Sequence, residues 1–132
     1  MSASMPSPRA RKAGALIMWF AVLGGALAWT AHLFVAWGTD ELTCRSGHTS
    51  IGPVPVQAVV AAGVVLPALV TVAAMWTAWR AWRRLSGRGR GDDPRTERAG
   101  LLALLGLCAD GLFLIIILAG GAALLVFPPC QS

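Results

Sequence analysis

The stretch from Gly14 to Trp37, GALIMWFAVLGGALAWTAHLFVAW, is 24 residues long and holds no Asp, Glu, Lys or Arg. A hydrocarbon layer about 30 Å thick needs roughly 20 apolar residues in helical form to cross it. The stretch therefore reads as a membrane-spanning helix, and two more like it follow. Hydrophobic residues make up 56% of the 132 and charged residues only 13%, against about a quarter charged in soluble domains. Mean hydropathy is +0.66. Three spans fill the chain and leave no segment long enough to bury a separate soluble core.

These signals divide the sequence into a basic, disordered tail over 1–13, helix 1 over 14–37, a polar loop over 38–52, helix 2 over 53–80, a basic loop over 81–98, helix 3 over 99–127 and a short end over 128–132. The fold class is an all-α, integral membrane three-helix bundle. Cleavage of the first stretch as a secretory signal is the competing reading. The stretch exceeds the 7–15 apolar residues of such signals and is expected to be retained. Pro53 and Pro55 are expected to open helix 2, where a missing N–H costs little. Pro67 interrupts it and cannot bond the carbonyl of Gly63, so a helix bend is expected at Gly63 and Pro67.

The charges fix an orientation. Of the 11 Lys and Arg residues, only Arg45 lies in the 38–52 loop, and the other ten lie before helix 1 or between residues 80 and 98. The positive-inside rule places those basic segments in the cytoplasm, giving N-in and C-out. The net charge of +5 is thus a topology signal and an attraction to anionic lipid, and nucleic acid is not an expected partner. Trp19 and Trp37 mark the two interfaces of helix 1. Trp76, Trp79 and Trp82, followed by Arg83 and Arg84, form an interfacial anchor at the inner end of helix 2.

Few residues could carry chemistry. Cys44 and Cys130 both fall on the outer, oxidising face, and a disulfide between them is expected. Cys108 reads as a small apolar filler within helix 3. His32 and Asp110 are intramembrane polar residues, which are costly and often functional. Measured from the inner face, His32 lies roughly 27 Å deep and Asp110 about 15 Å, so no direct contact between them is expected. His32 should bond a neighbouring helix or reach the interface. Asp110 should be neutral or hydrogen-bonded within the bundle, with Thr71 or a partner subunit as its contact. Ala103 and Gly106 share its face, as small residues do at helix contacts. Gly24-Gly25 and Gly120-Gly121 read as packing signals of the same kind. The outer loop offers Asp40, Glu41, Cys44 and His48. Zinc needs four ligands and Cys44 has a competing partner, so no metal site is expected.

Residues 24–44, GGALAWTAHLFVAWGTDELTC, resemble small bacterial membrane proteins found with cytochrome c oxidase genes, through Trp29-x-x-His32 near the outer end of helix 1 and the Cys44 beyond it. The resemblance covers about a sixth of the chain. It implies a bacterial inner membrane location and an oxidase-associated or assembly role, and it transfers no catalytic residue. No nucleophile–base constellation is present, so the chain reads as a non-enzymatic accessory or assembly component without a cofactor. Its partners are the lipid bilayer and either foreign membrane subunits or copies of itself. The alternative is a small homo-oligomeric transporter or a proton, metal or redox carrier using His32 and Asp110.

Overall fold

The computed structural model describes residues 7–47, 50–87, 94–127 and 130. Three helices, α1 (Pro8–Ser46), α2 (Val56–Ser86) and α3 (Pro94–Val126), are joined between α1 and α2 by a two-strand hairpin, β1 (Ser50–Ile51) with β2 (Val54–Pro55). All three helices are long and apolar enough to cross a membrane.

Each helix outruns its apolar stretch, because a helix satisfies its own backbone in lipid and in water alike. Six residues assigned to the amino-terminal tail, 8–13, are the start of α1. Ser7 caps it, accepting from the Ala10 N–H at 3.3 Å, and Pro8 stands at the first helical position, where its missing N–H costs nothing. At the other end, residues 38–46 continue α1 where a loop was expected. Thr39 and Thr43 donate their hydroxyls to the carbonyls of Val35 and Thr39, each at 2.7 Å, and Glu41 pairs with Arg45 one turn on. Gly47 ends the helix with φ of 64° and its N–H on the Thr43 carbonyl, a left-handed cap that favours glycine.

Pro53 and Pro55 belong to the hairpin and its turn rather than to helix 2, which begins at Val56. Ser50 pairs with Pro55 and Ile51 with Val54 in antiparallel register, around Gly52 at φ of 61°. The basic loop expected over 81–98 is shorter, since residues 81–86 extend α2 and 94–98 begin α3. Pro94 is again the initiating residue.

The packing inverts that of a soluble bundle. Among the described residues the buried apolar side chains are Ala21, Ala28, Ala74, Ala78, Ala103, Pro67 and Ile117, most of them alanine. Leu16, Leu27, Phe34, Leu66, Leu105 and Ile115 point outward. Backbones approach closely because the interior is small, as in helix contacts within lipid. α1 and α3 run parallel in nearly constant register: Asp110 meets Gly25 85 positions away, and Cys130 meets Cys44 86 away. α2 runs antiparallel to both, with Ala74 against Gly24 and Val64 against Gly121.

Candidate functional site: polar contacts between the three helices

Proline 67 creates the first feature. It sits buried inside α2 and has no N–H to offer the carbonyl of Gly63 four residues earlier. That carbonyl is met from α1, where His32 Nδ1 lies 2.9 Å away. A carbonyl only accepts, so the ring nitrogen facing it carries the proton, and in the neutral ring Nε2 is then the bare nitrogen. Nε2 faces α3, where a Cβ built on Gly120 would lie 3.0 Å from it. His32 is buried, 4% exposed. It thus bridges α1 to α2 and packs on α3. Gly63 has a second role, because a side chain there would run into Val35 of α1, with Val35 Cβ only 3.1 Å from the added atom.

Asp110 makes the second feature. It is fully buried, and its Oδ1 accepts from the Gly25 N–H of α1 at 3.0 Å. The expected contact with Thr71 is not made: the Thr71 hydroxyl donates at 2.8 Å to the carbonyl of Pro67 in its own helix. A hydroxyl on an apolar helix commonly satisfies itself this way. Gly25 permits the carboxyl's approach, since an added Cβ would lie 3.1 Å from Asp110 Cα. One turn earlier, a Cβ on Gly106 would lie 2.5 Å from the carbonyl oxygen of Ala21. The α1–α3 contact is therefore backbone on backbone, with Asp110 as its polar fastening. Asp110 Oδ2 and Trp29 Nε1 are buried with no hydrogen-bond partner among the described residues. The Trp29 ring lies 5.6 Å from that of Phe113, centroid to centroid.

His32 and Asp110 are not brought together. They bond different helices, two turns apart along α1. At the far end of α1, Cys44 and Cys130 form a disulfide with a Cα separation of 5.4 Å. Cys108 is exposed on α3 and does not fill the interior. His48 lies outside the described residues. Among the described residues, no group of three or more His, Cys, Asp and Glu could hold a metal ion.

The tryptophans separate by environment. Trp19, Trp37 and Trp76 are more than half exposed, while Trp79 and Trp82 are half-buried. Trp76 and Trp79 stack at 4.9 Å between centroids. The Arg80 guanidinium carbon sits 5.2 Å over Trp76 and that of Arg83 5.0 Å over Trp79.

Gly25 was not singled out as the partner of Asp110 from the sequence, although a signal was present. Aligning the starts of helices 1 and 3 places Gly25 level with Asp110. What the sequence lacked was the rotation of each helix. No family model, curated protein or solved structure matches this chain.

Proposed function

We propose that the chain is a multi-pass inner-membrane protein, N-in and C-out, that acts without catalysis as an accessory or assembly component of a larger membrane complex. The observation that carries this reading is that His32 and Asp110 each bond the backbone of a neighbouring helix in the same chain. His32 completes the Gly63 carbonyl and Asp110 holds the Gly25 N–H. A carrier would need such groups to exchange partners during its cycle. Here each bonds a backbone group of another helix in the same chain. The large apolar side chains face outward over all three helices, a surface suited to lipid and to partner helices. The resemblance of residues 24–44 makes a respiratory oxidase the first complex to examine.

The test is affinity purification from native membranes in mild detergent, followed by mass identification. A foreign membrane subunit recovered at fixed ratio is the expected result. Recovery of a homo-oligomer alone, with ion flux after reconstitution, would replace this reading by the carrier. Orientation is tested separately. A cysteine placed at Ser46 should label from outside intact cells and one at Gly87 should not, and the reverse pattern overturns N-in.

A further inference from the structure

The inner end of α2 carries two adjoining depressions. One is an apolar groove of about 280 Å³ between α2 and α3, lined by Val72, Met75, Leu107, Trp76 and Trp79. The other, about 370 Å³, is lined by the same two tryptophans with Arg80, Arg83 and Arg84. Trp76 and Trp79 thus form the wall shared by an apolar channel and a basic cup. From Val72 to Arg84 the two cover roughly 18 Å of helix axis.

We propose that this surface is a binding site for one anionic phospholipid, its phosphodiester in the arginine cup and an acyl chain along the Val72–Met75–Leu107 groove. The proposal rests on reading the three helices as membrane spans. Charge complementarity selects the headgroup. Three guanidinium groups converge on the cup, and no carboxylate among the described residues pairs with them. Stacking of Arg80 and Arg83 on the indole faces holds two of them in place, so less side-chain freedom is lost when phosphate binds. Planar guanidinium groups bond phosphate oxygens in pairs. The groove supplies what a free anion cannot use: an apolar path continuous with the cup and directed away from the basic end of the helix. Basic pockets beside membrane helices on the cytoplasmic side are suited to this class of lipid.

The test titrates the full chain in mild detergent with phosphatidylglycerol or phosphatidylcholine of identical acyl chains, and counts lipid adducts by native mass spectrometry. The expected preference for phosphatidylglycerol is about tenfold, because phosphatidylcholine carries the same phosphodiester but brings a cationic choline against three guanidinium groups. Arg80→Gln with Arg83→Gln should abolish that preference. Arg9→Gln with Arg11→Gln removes the same charge from the same end of the bundle and should change it by less than about twofold. Equal losses in the two double variants would overturn the site in favour of diffuse attraction. Displacement of the lipid by millimolar inorganic phosphate would also overturn it, showing a simple anion cup. Whether the chain needs detergent to stay in solution is read in the same preparation. It reports on the spans independently of lipid preference.

Discussion

Removing Pro67 should make His32 partly dispensable. In the native chain the Gly63 carbonyl has no helical donor, and His32 Nδ1 supplies one at 2.9 Å. His32→Leu, of similar volume, leaves that buried carbonyl unpartnered. An unsatisfied buried acceptor costs about 1–3 kcal/mol, and interhelical hydrogen bonds in membranes are worth about 0.6–1.7 kcal/mol. A loss of about 1–2 kcal/mol is therefore expected. Pro67→Ala restores an N–H that can bond Gly63 within α2, while leaving a small void where the ring was. In that background the carbonyl is satisfied, so His32→Leu should cost about 1 kcal/mol less than it does with Pro67 present. The void cancels in a double-mutant cycle, which isolates the coupling. The assay is reversible unfolding of the four proteins in mixed micelles, followed by the tryptophan signal. If His32→Leu costs the same in both backgrounds, His32 does not serve the carbonyl that Pro67 frees.

Three further outcomes follow from the packing. Asp110→Asn keeps an oxygen to accept from the Gly25 N–H, so stability and membrane level should hold within about 0.5 kcal/mol, while Asp110→Leu should lose about 0.6–2 kcal/mol. The same unfolding assay decides it, and equal losses would remove the Gly25 bond from the account. Gly106→Val should destabilise by about 1–3 kcal/mol or more, the usual scale of overpacking, because the added carbon meets the Ala21 carbonyl at 2.5 Å. Gly14→Val, at a position with nothing near an added Cβ, should cost well under that. Non-reducing peptide mapping of protein trapped before lysis should find Cys44 joined to Cys130, and free thiols at both would contradict the pairing. Replacing both by serine should cost less than the about 4–5 kcal/mol that chain entropy assigns to a loop of this length. Helices that stay formed in a bilayer or micelle would already restrict the unfolded chain.

The number of helices and their apolar centres were legible because each of the three apolar runs is long enough to cross a lipid layer as a helix. Helix ends were less so. Hydropathy reports where apolar residues stop, as at Trp37, whereas the helix stops where the backbone can turn, at Gly47. Ser7-Pro8 and Pro94 open α1 and α3, but both stand in polar surroundings that suggested a tail and a loop. A constant rise per residue separates His32 from Asp110, and the two do bond different helices. Their partners did not follow, since each is a backbone group that any residue carries. Gly25 N–H becomes visible only once the rotations of α1 and α3 are known. The Gly63 carbonyl was identified as freed by Pro67, but nothing in sequence showed that His32 would reach it across the bundle.

The most direct measurement is the tautomer of His32 in lipid bilayers, read by nitrogen-15 spectroscopy on histidine-labelled protein, with His48→Asn removing the other histidine signal. The account predicts a proton on Nδ1, because the Gly63 carbonyl 2.9 Å away can only accept. A ring protonated on Nε2 alone would mean that Gly63 is not its partner, and His32 would lose its place as a fixed part of the bundle.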